Sequence, residues 1–158
     1  MYMSKQESHY TATGYVKNGT GDKILFIFHK KLQFWLPPGG HVDADELPHQ
    51  TVVREIFEET GIHAEIIDPI GKLTLDLNGP EIQIPTPFAV LHEQIPAYKD
   101  KQAHLHYDFL YHMLALNENL AHAEHEVDAA NWFTLDDILN CKTTEGAKAI
   151  CKLLLGKK

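Results

Sequence analysis

The chain has 158 residues, 44% of them hydrophobic and 23% charged, the size and balance of one globular domain over residues 1–158 with a core of its own. No run approaches the roughly 20 uninterrupted apolar residues of a membrane-spanning helix, and Met1–Tyr10 lacks the apolar centre of a secretory signal, so a cytoplasmic protein without a membrane partner is expected. The formal charge of -8 argues against a face built to neutralise a large nucleic acid, although an acidic protein can bind a small polyanion if cations sit at the site.

Two apolar, β-rich runs come first, Tyr10–Lys17 and Ile24–His29, separated by the turn residues Asn18-Gly19-Thr20-Gly21-Asp22, and they predict a hairpin. After the breaker Pro37-Pro38-Gly39-Gly40, apolar side chains at Val52, Val53, Ile56 and Phe57 predict a helix over Leu47–Thr60. Pro48 suits its first turn and Gly61 a left-handed cap at its end. Further strands are expected at Ala64–Ile67, Leu73–Leu77, Pro87–Glu93 and His104–Leu116, with loops at Pro69, Asn78-Gly79-Pro80 and Pro96. Helices over Leu135–Asn140 and Thr144–Leu155 close the chain. Cys141 and Cys151 fall in this last, helical segment, so buried or idle thiols are expected rather than a disulfide framework or a thiolate metal site.

The strand at His104–Leu116 alternates strictly. Leu105, Tyr107, Phe109, Tyr111 and Met113 share one face, expected to be core, while His104, His106, Asp108 and His112 share the other, polar enough to line a cleft. Mixed strands with few helices favour a sheet covered by helices, an α/β (α+β) fold.

Chemistry concentrates on the helix. Each residue advances about 100° around the axis, so Glu55, Glu58 and Glu59 fall within one sector roughly 100° wide. Val53, Ile56, Phe57 and Thr60 are expected on the side packed beneath the sheet. Like charges at these spacings repel by a few tenths of a kcal/mol per pair, and by more when shielded from water. Arg54, four residues before Glu58, can brace it, but one arginine cannot neutralise three carboxylates. Divalent cations are the natural remedy, and oxygen-only ligands suit Mg2+ or Mn2+, which bridge to substrate phosphates. Glutamate is also a strong helix former, and clusters of it usually occupy solvated faces; the Gly-Gly turn before the helix, the arginine and the closing glycine set this cluster apart.

Residues 40–62, GHVDADELPHQTVVREIFEETGI, resemble the signature box of the Nudix hydrolase (MutT-like) family at every specified position: Gly40, Glu46, Arg54, Glu55, Ile56, Glu58, Glu59, Gly61 and Ile62. Trp35-Leu36-Pro37-Pro38-Gly39 looks like the usual lead-in, and Trp132-Phe133-Thr134-Leu135-Asp136 resembles the segment entering a late helix in that family. The resemblance implies an α/β/α sandwich with a mixed sheet between helices. It also implies metal-dependent hydrolysis of the diphosphate linkage in a nucleoside diphosphate joined to another moiety. Carried over by position, Glu58, Glu59 and the carbonyl of Gly40 would be metal ligands, and Glu55 a ligand or base. Arg54 would orient the glutamates, while Glu46 and Gly61 would support the loop and the helix end. Family members often recruit a later acid, for which Glu126 is the first choice and Glu124 the second.

His122 and His125 could suggest zinc, but they lack the His-Glu-x-x-His pattern and a third ligand, and read as exposed loop residues. His104, His106 and Asp108 could wall a cleft. Tyr15, Phe34 and Trp35 could stack on a nucleobase, yet aromatics near strands are more often core. Two rivals compete with the hydrolase: a Nudix-like module that binds a nucleotide without cleaving it, and an isoprenoid-diphosphate isomerase. The intact box disfavours the first; the lack of a cysteine before Cys141 disfavours the second. Leu77 and Asn78 stand where ADP-ribose-preferring relatives tend to carry proline, with Pro80 slightly late, so no particular substrate is indicated. Oligomerisation is left open.

Overall fold

The computed structural model describes residues 6–68, 75–121 and 127–156, and among them eight strands form one mixed sheet. In chain order these are Ser8–Lys17 (β1), Lys23–His29 (β2), Phe34–Leu36 (β3), Gly39–His41 (β4), Ala64–Ile66 (β5), Ala89–Ile95 (β6), His104–Ala115 (β7) and Val127–Thr134 (β8). Helix Pro48–Thr60 (α1) lies between β4 and β5, and Leu135–Asn140 (α2) and Glu145–Leu155 (α3) follow β8.

β1 and β7 are the spine, paired in parallel from Ser8↔Leu105 to Lys17↔Leu114, whereas every other pairing is antiparallel. The remaining edge of β1 is shared by β4, through Thr11↔His41 to Thr13↔Gly39, and by β2, which joins it at Lys17↔Ile24. On the far edge of β7, β6 covers the first half and β5 the second.

Strand alternation divides the core in two. On one face Ala12, Val16, Leu25, Tyr111 and Met113 pack against Val52 and Ile56 of α1; on the other Tyr15, Ile24, Phe26 and Leu110 pack against Ile138 of α2 and Ala147 and Cys151 of α3. Val52 and Ile56 are wholly buried, each worth about 1.5–3 kcal/mol of apolar burial. The result is a sheet between helices, as the patterning implied.

The first hairpin forms as expected: the Asn18 side-chain oxygen accepts from the backbone N–H groups of Asp22 and Lys23 at 3.1 and 3.0 Å and ties off the turn. Three strands escaped the sequence. β3 and β4 are three residues long and flank Pro37-Pro38, which reads as a breaker, and β8 contains Ala129-Ala130, weak strand formers drafted by pairing with β2. Conversely, of the strand expected at Leu73–Leu77, residues 73–74 lie outside the described residues and Leu75–Leu77 belong to no strand, leaving Leu75 and Leu77 exposed. Their apolar side chains simply have no sheet face to cover.

The buried side of α1 also differs from expectation. Thr51, Val52, Ile56, Glu59 and Thr60 are buried, whereas Val53 and Phe57 are 41% and 48% exposed, and Phe57 instead stacks on His63 with ring centroids 4.6 Å apart. Helical spacing is satisfied by either stripe; contact with β1 selects between them. There Gly14 lets the helix approach so closely that a Cβ would stand 2.5 Å from Ile56 Cδ1 and 3.0 Å from Val52 Cγ2. Gly14→Ala should therefore overpack this seam and lower stability by about 1–3 kcal/mol, measurable as a reduced urea midpoint at unchanged slope.

Candidate active site

The site is assembled at α1. At its start the Gln50 side-chain oxygen accepts from the Leu47 N–H at 2.9 Å, with Pro48 in the first turn. At its end Gly61 adopts φ 71° and donates to the Phe57 carbonyl at 2.8 Å; with Ala121 packed against it, this position has neither the backbone conformation nor the room for a side chain.

Arg54 gathers the acidic side chains. Its Nε and Nη2 donate to the two oxygens of Glu46 at 2.7 and 2.8 Å, a bidentate pair that pins the preceding loop to the helix. Nη1 donates to Glu55 Oε1 at 2.9 Å and Glu58 Oε2 at 3.0 Å, and Asp43 lies 3.6 Å from Nη2. The Thr51 hydroxyl adds a 2.8 Å bond to Glu46. The Arg54 guanidinium, helped by Thr51, holds the Glu46 carboxyl at about 2, well below its usual 4.5.

The three box glutamates occupy different environments. Glu58 is the most exposed, with 56% of its side chain accessible, Glu55 is largely covered at 13%, and Glu59 is buried. Glu59 Oε2 accepts from the Gly39 N–H at 3.1 Å, and the Glu55 carboxylate lies so close over Gly40 that a Cβ there would collide with it. Arg54 thus holds Glu55 and Glu58, while Glu55 and Glu59 both reach the glycine turn.

That turn is also the wall of a cleft of about 670 Å3 on the opposite face of the sheet. Gly39 and Gly40 line it together with Thr11, Thr13, Glu93 and Asp108. The Thr11 and Thr13 hydroxyls donate to the buried Asp108 carboxylate at 2.9–3.0 Å, yet burial outweighs them and pushes its pKa up; Glu93 is likewise pushed up, by burial first and by Asp108 second. His106 and Asp108 therefore do wall a cleft, but His104 and His112, on the same alternating face, do not line it, and Tyr107 on the expected core face is 36% exposed.

The donor set of Glu55, Glu58, Glu59 and the Gly40 carbonyl consists of hard oxygens with more negative charge than Arg54 can balance, which fits Mg2+ or Mn2+. Glu126, Glu124, His122 and His125 lie outside the described residues. Among the described residues, the donor atoms that come within 4.8 Å of one another in a group of three belong to His9, His41 and His106. Sequence reading missed His9, His41 and Glu93. His9 was legible in part, because it alternates with Thr11 and Thr13; His41 was hidden by the unrecognised β4.

The sequence model of the NUDIX domain matches residues 7–153. The chain belongs to the Nudix family. A curated Nudix relative, a probable DHNTP pyrophosphohydrolase of Lactococcus lactis subsp. cremoris (strain MG1363), is 38% identical over 100 residues, 63% of this chain and 51% of that protein. The chain thus spans about half the length of that relative. Among solved structures, a NUDIX family hydrolase from Clostridium perfringens superposes with a TM-score of 0.74 at 23% identity, covering 93% of this chain and 95% of the other. A bifunctional NMN adenylyltransferase/ADP ribose pyrophosphatase from Francisella tularensis, complexed with AMP and a Mn ion, superposes at 0.61 with 20% identity over 97% of this chain and 42% of that one. These superpositions establish a shared Nudix fold.

Because the folded pKa of Glu46 lies below its unfolded value, the stability it contributes is present above pH 4.5 and is lost as pH falls toward 2. Unfolding midpoints measured from pH 6 down to about 2 should fall less steeply for Glu46→Gln than for the unaltered protein.

Proposed function

We propose that the protein is a metal-dependent Nudix pyrophosphohydrolase that cleaves the diphosphate linkage of a nucleoside diphosphate joined to another moiety, with Mg2+ or Mn2+ as cofactor. The observation that carries this reading is the double contact of the glycine turn. Gly39 and Gly40 line the cleft and also touch Glu59 and Glu55, so the glycine turn is the element that the cleft and the carboxylates share. The Lactococcus relative and the Francisella structure, by name a pyrophosphohydrolase and a pyrophosphatase, support the same class.

Glu58, Glu59, Glu55 and the Gly40 carbonyl would hold the cation, with Glu126 as a further acid. When bound, Mg2+ or Mn2+ offsets the charge of the diphosphate and polarises a phosphoryl oxygen. Arg54 sets the orientation of Glu55 and Glu58 by donating one guanidinium nitrogen to both, and Glu46 fixes the arginine in turn. In hydrolysis a water oxygen bonds to one phosphorus, the bridging P–O bond breaks, and Glu55 or Glu126 takes the water's proton.

A turnover screen over nucleoside diphosphate derivatives with Mg2+ or Mn2+, read by coupled phosphatase, tests the reading. Metal-dependent release of phosphate-bearing products is expected, and binding without cleavage across the panel would overturn it. Glu58→Gln, nearly isosteric at an exposed position, should lower kcat by about 100-fold or more while leaving the thermal midpoint in place. An unaltered rate would remove Glu58 from the metal site.

A further inference from the structure

Four histidines gather beside the cleft, which His41 and His106 line, brought together by strand pairing. His9 on β1 stands opposite His106 on β7, and two residues further along β1 Thr11 stands opposite His41 on β4. His41 follows Gly40 in the strand, so its side chain emerges on the cleft side while Gly40 faces Glu55. Ring centroids of His9, His41 and His106 are 5.0–5.8 Å apart, and His104 packs 4.9 Å from His106.

Hydrogen bonding in this group has a direction. His9 Nε2 meets the Glu7 carboxylate at 2.9 Å, and a carboxylate only accepts, so in the neutral ring Nε2 carries the hydrogen and Nδ1 bears a lone pair. That Nδ1 is buried and has no hydrogen-bond partner. His104 Nδ1 meets the Gln102 carbonyl at 2.9 Å, which places its hydrogen there and leaves Nε2 to accept from His106 Nε2 at 3.1 Å. With these rings neutral, Nδ1 of His106 is likewise a bare lone pair. An imidazole whose outer N–H is tied to a carboxylate, a carbonyl or another acceptor is the arrangement that orients histidine toward a metal.

We propose that His9, His41 and His106 form a second metal site, selective for a borderline transition-metal ion such as Zn2+ and distinct from the carboxylate centre on the other face of the sheet. One ring nitrogen of each already lies within 4.8 Å of the others. Bonds of about 2.0–2.1 Å in a tetrahedral site require donors roughly 3.3 Å apart, a contraction that small side-chain rotations supply. Nitrogen-only ligation disfavours Mg2+ and favours Zn2+, Co2+, Ni2+ or Cu2+. Three protein ligands leave a fourth position open to water or an anion. The ion ties β1, β4 and β7 together at the mouth of the cleft.

The test is equilibrium dialysis against Zn2+ with millimolar Mg2+ present to occupy the carboxylates, together with the visible absorption of the Co2+ form. The unaltered protein should bind one Zn2+ per chain, raise its thermal midpoint on binding, and give the intense visible bands of tetrahedral Co2+. Removing the outer partner in Glu7→Ala should weaken binding about tenfold or more. His41→Ala, which removes a ligand from an exposed position and leaves the apo midpoint unchanged, should weaken it further, as should His106→Ala. Should His106→Ala fail to fold, His41→Ala carries the test alone. Undiminished Zn2+ affinity in His41→Ala, no binding by the unaltered protein, or loss of binding in Glu58→Gln but not in the histidine variants would each overturn the proposal.

Discussion

One guanidinium organises the acidic end of this molecule. Arg54 donates to Glu46, Glu55 and Glu58 at 2.7–3.0 Å, with Asp43 just beyond, so a single cation binds the loop before α1 to the helix and keeps neighbouring carboxylates from swinging away from one another. The bidentate half of this arrangement requires arginine; a lysine offers a point charge and could not span both oxygens of Glu46 while reaching Glu55 and Glu58. Glu59 is steadied by the Gly39 N–H.

Gly39 and Gly40 turn this local order into a connection across the sheet. β4 is a short strand whose one face touches carboxylates and whose other face lines the cleft. A side chain at Gly39 would meet the Ala12 backbone, and one at Gly40 would strike Glu55, so two successive residues need to lack a Cβ for the strand to lie between them. Inside the cleft, burial raises the pKa of Asp108 and of Glu93.

The two cation-binding candidates on opposite faces follow opposite chemistry. Hard carboxylates beside Arg54 suit ions that keep their water and bridge phosphates; imidazoles beside the cleft suit ions that shed it. Both rest on β4, where Gly40 and His41 are adjacent in sequence and face apart.

Features set by local chain chemistry were legible in the sequence alone: the first hairpin, α1 between Pro48 and Gly61, the two closing helices, the long alternating strand and the spacing that brings Arg54 to Glu58. Each depends on residues a few positions apart, where periodicity and turn chemistry act directly. Long-range contact decided the rest. Which stripe of α1 is buried depended on the close approach at Gly14; β4 and β8 exist because β1 and β2 had edges to pair; and the histidine cluster required residues 9, 41 and 106 to meet through strand register. Pairing and packing across such separations have no local signature, because the free energy that selects them comes from partners the neighbouring sequence does not name.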